Sequence, residues 1–244
     1  MSELRVEQRD DRVVVTLDRP ETRNAISRAM VDELHQVCAE LESAPRILIL
    51  AGTPTVFASG ADIAELRERR AADARAGINS RVFDRIARLP MPVIAALDGW
   101  TLGGGAELAY AADIRIAGEG LKIGNPETGL GIMAAAGATW RLPAIVGPTL
   151  AAELLLTGRT LDAGEALAAG LVSRVVPSAE LLAAAHELAD HIARNDPLAT
   201  RLTKAALAAP RDAHPAIDDE SQAVLFESPE KVRRMDAFLE RRRR

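Results

Sequence analysis

The 244 residues carry 30 lysines and arginines against 35 aspartates and glutamates, a net charge of −5, with 48% hydrophobic and 27% charged residues. That balance suits one large soluble domain, or one domain with a small extension, and argues against a general nucleic-acid binder, whose footprint is basic. Residues 1–11 are polar and no apolar run reaches about 18 residues, so neither secretion nor a membrane span is expected and the predicted location is cytoplasmic.

Arg12–Leu17 is β-branched and reads as an early strand before the turn-like residues 18–25. A helix is expected from near Ser27, because Met30, Leu34, Val37, Cys38 and Leu41 recur at helical spacing and bury one face. Cys38, the single cysteine, then serves packing; alone it excludes an internal disulfide or a cysteine metal cluster. Ile47–Ala51 is uninterrupted and apolar, the pattern of a strand covered on both faces. Residues 56–63 close another strand with a small-residue loop, Ser59-Gly60-Ala61-Asp62-Ile63, where backbone amides can be free. Residues 65–88, crowded with Glu65, Arg67, Glu68, Arg69, Arg70, Asp73 and Arg75, read as a solvated, mobile helix or loop.

Val93–Leu97 reads as a buried strand, and it runs into Gly103-Gly104-Gly105-Ala106-Glu107-Leu108-Ala109. Three glycines at a strand-to-helix junction let the backbone approach a bound group, and the first helical amides there have no acceptor. The helix dipole adds partial positive charge, so the junction can hold a developing anion, with Glu107 one turn further in. Taken alone, the glycines equally fit a softened helix start followed by a solvated glutamate.

Ile114 to Ala117 and Leu121 to Gly124 read as short strands around a glycine turn, delivering Asn125-Pro126-Glu127. Glu127 thus sits at a strand end, where open α/β folds place chemistry. Residues 129–139 are small and Gly-rich, as in a tightly packed backbone. Helices are expected over 149–156 and 162–169, with Asp162 as N-cap and Gly170 just past the C-terminus, then a strand over 172–176. From residue 179 the pattern is helical, with breaks at Pro197, Pro210, Pro215 and Pro229. This divides the chain into an α/β body, 1–178, and a helical region, 179–244. There is no Gly-x-Ser-x-Gly, no phosphate loop, and no metal-ligand spacing among His35, His186, His191 and His214, so no metal is expected.

The three loops at 59–63, 103–109 and 125–127, taken together, resemble the enoyl-CoA hydratase/isomerase (crotonase) family. The resemblance extends from Arg19-Pro20 and Asn24-Ala25 through Leu156-Thr157-Gly158-Arg159 and Ala169-Gly170-Leu171-Val172 to Met235-Asp236-Ala237-Phe238-Leu239-Glu240-Arg241. It implies an α/β spiral of ββα units with a C-terminal helical trimerisation region, an acyl-CoA thioester substrate, and a homotrimer or a hexamer made as a dimer of trimers. It implies an oxyanion hole from the backbone N–H groups of Ala61 and Gly104, and catalysis by Glu107 and Glu127. Ala25, Gly60, Asp62, Ile63, Gly103, Phe238 and Arg241 are the implied substrate and CoA contacts. No cofactor is implied, because coenzyme A is part of the substrate.

Both glutamates point to hydration of a trans-2-enoyl-CoA. The alternatives are a double-bond isomerase of the same fold, or a non-catalytic CoA-binding or RNA-associated scaffold. One stretch departs from the family pattern: Ala134-Ala135-Ala136-Gly137-Ala138-Thr139-Trp140 stands where a proline, more glycines and a glutamine are usual, so the acyl pocket or the wall behind Glu127 is expected to differ. Residues 65–88 correspond to the variable lining of the acyl tunnel.

Overall fold

After an opening hairpin, the next six strands alternate between two sheets. The computed structural model describes residues 2–242. Its strands are β1 (Leu4–Gln8), β2 (Arg12–Leu17), β3 (Ile47–Ala51), β4 (Val56–Ala58), β5 (Val93–Leu97), β6 (Trp100–Leu102), β7 (Ile114–Gly118), β8 (Lys122–Gly124), β9 (Thr160–Asp162) and β10 (Val175–Val176). Six form one sheet in the order β1-β2-β3-β5-β7-β10, and four form a second, β4-β6-β8-β9. Antiparallel pairs, β1 with β2 and β8 with β9, occur at one edge of each sheet, and the pairs between them are parallel.

The helices of the first part are α1 (Arg28–Ser43), α2 (Ile63–Glu68), α3 (Ala71–Ala76), α4 (Ile78–Ala87), α5 (Gly104–Tyr110), α6 (Ala138–Val146), α7 (Pro148–Thr157), α8 (Ala163–Ala168) and α9 (Leu181–Ala193). The pairs β3/β4, β5/β6 and β7/β8 each give one strand to each sheet and then lead into helix, which is the expected spiral of ββα units. Strands β2, β3 and β5 are buried along their whole length, as interior strands covered on both faces require. Helix α1 starts as expected: the Ser27 hydroxyl accepts from the Met30 amide, and Met30, Leu34, Val37, Cys38 and Leu41 are buried. Asp162 and Glu165 form a capping box at the start of α8, and Gly170 has φ +71° just past its end.

The structure departs from the sequence reading in two places. Residues 65–88 are not one solvated segment: α2 and α3 bury nothing, whereas α4 buries Val82, Phe83 and Ile86 in the core. Those apolar positions share one face of α4 while arginines occupy the other, so an average over the segment hides them. The two short strands expected around the glycine turn are present as β7 and β8, and they belong to different sheets. Finally, the strand expected over 172–176 is only Val175–Val176, paired with β7.

Two compact units are present, with the division between Ala189 and Asp190, inside α9 and beyond the 178/179 boundary read from the sequence. Most of α9 belongs with the first unit, where the Arg12 guanidinium donates to the His186 carbonyl at 2.8 Å. The second unit holds α10 (Pro197–Leu207), α11 (Ala216–Phe226) and α12 (Pro229–Arg242). Pro197 and Pro229 open helices, where a missing N–H costs nothing. Among the described residues no helix is long and apolar enough to cross a membrane.

Candidate active site

Strands β4, β6 and β8 are parallel neighbours, so the loops that follow them leave from the same edge of the small sheet. Residues distant in sequence, 59–61, 103–104 and 126–127, therefore meet. With residues 63–80 opposite, they line a cavity of about 530 Å³.

The loop after β4 is stapled in place. Ile26 donates its amide to the Gly60 carbonyl and accepts from the Asp62 amide, in a parallel bridge. Backbone alternation then turns the Ala61 N–H the other way. The loop after β6 supplies a second amide, that of Gly104, the first residue of α5, which has no intrahelical acceptor. The two lie close together, since a Cβ on Gly104 would stand 3.4 Å from the Ala61 nitrogen. Among the described residues, neither amide donates to a backbone or side-chain acceptor. Two neighbouring glycines make this junction possible. Gly103 has φ +53°, and a Cβ there would stand 3.2 Å from Glu127 Oε1; a Cβ on Gly105 would stand 2.5 Å from the Ala58 carbonyl oxygen of β4.

Glu107 lies one turn into α5 and is 3% exposed. Its Oε1 accepts from the Ala136 amide at 2.6 Å and the Ala138 amide at 3.1 Å. Burial pushes its carboxyl up to about 7; the Glu127 charge adds to the shift, while the two amides and Arg141 oppose it. Arg141 also ties this loop down, donating to the Ala136 carbonyl at 3.4 Å and to Asp84 at 3.3 Å. The stretch at 134–140 thus grips Glu107 through its backbone, and of its side chains Ala135 and Ala136 line the cavity. Trp140 does not line the cavity: it is 52% exposed and carries the Arg141 guanidinium 5.0 Å above its ring.

Glu127 opens a 3-10 turn over Glu127–Leu130 just after β8. Its carboxyl is held differently. Oε1 accepts from Asn125 Nδ2 at 3.3 Å, while Oε2 is buried with no hydrogen-bond partner. Burial raises this carboxyl as well, opposed by its own backbone amide and by Asn125. Asn125 is in turn oriented by Tyr110, whose hydroxyl donates to Oδ1 at 3.0 Å, leaving Nδ2 to face Glu127 and the Gly103 carbonyl. Burial raises the Tyr110 phenol too, so it stays a donor at neutral pH.

Of the residues singled out from sequence, Gly60, Ala61, Ile63, Gly103, Gly104, Glu107 and Glu127 all line the cavity. Ala25 and Asp62 do not. Ala25 is buried, with its carbonyl accepting from Arg19; Asp62 is the N-cap of α2 and pairs with Arg19 at 2.8 Å. Phe238 and Arg241 belong to α12 of the second unit, where the Arg242 guanidinium stands 5.4 Å from the Phe238 ring. The sequence reading assigned no role to Asn125, to the amides of Ala136 and Ala138, or to Tyr110. Tyr110 left a signal: it is the chain's single tyrosine, three residues beyond Glu107 and so on the same side of the helix.

Two buried carboxyls of raised affinity for a proton thus share a cavity with two unengaged amides, an arrangement able to move protons while holding a negative oxygen. Known proteins carry the same architecture. Residues 8–244 match the enoyl-CoA hydratase/isomerase family. The short-chain-enoyl-CoA hydratase of Clostridium acetobutylicum is 38% identical over 94% of this chain and 92% of its own. The crotonyl-CoA hydratase of Syntrophomonas wolfei is 36% identical over 98% and 95%. The crystal structure of an enoyl-CoA hydratase from Bacillus anthracis superposes with a TM-score of 0.93 at 33% identity, covering 98% of this chain and 96% of that one. Sequence and fold agree along nearly the full length, and the chain belongs to the enoyl-CoA hydratase/isomerase, or crotonase, family.

Proposed function

We propose that this protein is an enoyl-CoA hydratase, adding water across the 2,3 double bond of a trans-2-enoyl-CoA to give a 3-hydroxyacyl-CoA. One observation carries the reading: Glu107 and Glu127, both buried and both raised, face one cavity beside the Ala61 and Gly104 amides. The activities named for the relatives from C. acetobutylicum and S. wolfei support it. In this reading the thioester carbonyl rests on the two amides. Ionised Glu107 takes a proton from water as the water oxygen bonds to C3, and the π electrons move toward the thioester oxygen. Each amide stabilises that charge by roughly 3 kcal/mol in the transition state. Protonated Glu127 then delivers its proton to C2, and exchange with solvent restores both carboxyls. Gly60, Ile63 and Gly103 form the substrate's wall, and no cofactor is required.

The pair predicts a bell-shaped pH dependence of kcat/KM, because Glu107 must be ionised and Glu127 protonated, with limbs that belong to the coupled pair. The decisive experiment follows loss of the conjugated enoyl-thioester absorbance with short and medium trans-2-enoyl-CoAs, for the wild type, Glu107→Gln and Glu127→Gln. Rapid loss in the wild type, abolished in both variants, is the expected result. Migration of the double bond without uptake of water would replace hydratase by isomerase.

We also propose that the chain assembles in the cytoplasm as a homotrimer or a dimer of trimers. Within the second unit Phe226, Val232, Met235, Phe238 and Leu239 are each about half exposed, apolar surface that a second copy would cover. Light scattering of the purified protein tests this, and a monomeric mass would sink it.

A further inference from the structure

The wall opposite the glutamates carries a cation that the proposed chemistry does not use. Arg69, just after α2, lines the cavity. Its Nη1 donates to Asn79 Oδ1 at 3.3 Å, whereas its Nη2 is buried with no hydrogen-bond partner. The Glu65 carboxylate forms an ion pair with Nη2 at 3.8 Å, too long for a hydrogen bond, and its two oxygens are turned to the Arg28 amide. A buried guanidinium donor left without an acceptor is unfavourable and calls for an explanation. The other charges on this wall do not supply one: Asp73 is engaged by the Arg70 amide at 2.8 Å, and Arg70 is a second cation. Beside them Leu66, Ala71, Ala74 and Ile78 are apolar.

Asn79 sets the distance. It is itself buried, and its Nδ2 lies 3.5 Å from where a Cβ on Gly104 would stand. The guanidinium is thus one amide side chain away from the proposed carbonyl site. A group that reaches it lies at the far end of a short acyl chain, and a planar fork with one nitrogen already fixed matches a carboxylate.

We infer that Arg69, held by Asn79, recognises a carboxylate at the distal end of a short acyl chain, so that the preferred substrates are trans-2-enoyl-CoAs of dicarboxylic acids. The inference deepens the hydratase reading and rests on it for the CoA-bearing end of the ligand. The test separates the two. Calorimetry compares glutaryl-CoA with pentanoyl-CoA, five-carbon saturated thioesters that differ at the tip, on the wild-type protein, Arg69→Lys and Arg69→Leu. Turnover of glutaconyl-CoA is measured alongside that of trans-2-pentenoyl-CoA. We expect glutaryl-CoA to bind the wild type at least about tenfold more tightly, with the preference reduced in Arg69→Lys and absent in Arg69→Leu. Equal binding of the two by the wild type, or an undiminished preference in Arg69→Leu, overturns the inference alone. If an Arg69-dependent preference holds while no enoyl-CoA is hydrated, the hydratase reading falls and the carboxylate site stands. If neither thioester binds, both fall. The wild-type comparison is decisive even should a variant fail to fold.

Discussion

The two ends of the cavity are built from different materials. At the end holding the glutamates the backbone does the positioning: strand ends β4, β6 and β8 set the loops, amides grip Glu107, and two further amides lie side by side without an acceptor among the described residues. At the other end, the short helices α2 and α3 bury no residue of their own and present side chains, several of them charged. Chemistry placed on the first end is tied to the topology of the whole chain. Selectivity placed on the second can change one side chain at a time.

The largest contrast is expected in turnover. Glu107→Gln and Glu127→Gln should each lower hydration of crotonyl-CoA by about a hundredfold to ten-thousandfold. Arg70→Ala, on the distal wall, should change it by less than about threefold. Steady-state kinetics on the three variants decides, and a loss at Arg70 as deep as at Glu107 would erase the distinction. In stability the same contrast is sharper at a single methyl group. Gly105→Ala drives a Cβ to 2.5 Å from the Ala58 carbonyl oxygen. It should cost about 3 kcal/mol. Ala74→Gly in the exposed helix α3 should cost about 1 kcal/mol or less. Urea titration measures both.

A third prediction concerns pH. Glu107 is raised on folding to about 7 by burial, so the stability it contributes is complete below its unfolded value of 4.5 and is lost as pH rises through 7. Gln at this position stays neutral throughout. Glu107→Gln should therefore match the wild type near pH 4 and exceed it above pH 8 by on the order of 2 kcal/mol. A constant difference across that range would show that Glu107 ionises as readily in the folded state as in the unfolded chain. The smallest effect is expected at Tyr110→Phe. Its loss frees Asn125, weakens the hydrogen bond that favours ionised Glu127, and should move the limb of kcat/KM that Glu127 governs upward by about half a pH unit. An unmoved limb would detach Tyr110 from the reacting end.

What could be read in advance was local. Ile47–Ala51 and Val93–Leu97 announce buried strands by composition, and Ser27 and Asp162 announce helix starts by their side-chain oxygens. The three loops could be recognised because each packs its functional residues into a few consecutive positions. What could not be read depends on a distant partner. The glycine turn at Gly118 and Gly120 is legible but its cause is not: the Asp98 carboxylate sits where a Cβ at either position would go, and Lys122 gives its amide to Gly99. The grip on Glu107 comes from the backbone of Ala136 and Ala138, and an amide N–H is the same whatever the side chain. Strands β6 and β9 are three residues long, too short for alternation to register.

The alternation of strands between two sheets also fixes when activity can arise. Val56 pairs with Trp100, and Trp100 with Lys122, so β4 waits for a partner through an entire further turn of the spiral. Each such closure meets its loop entropy before any pairing returns stability, which makes assembly of the small sheet slow. During synthesis the β1–β2 hairpin and α1 can form early, while the Ala61 amide still has no Gly104 beside it. Glu107 then gains its clamp only after residues 136–138 have been made. A nascent chain consequently lacks the assembled pocket until more than half of it exists, and truncation before residue 136 leaves Glu107 without its clamp.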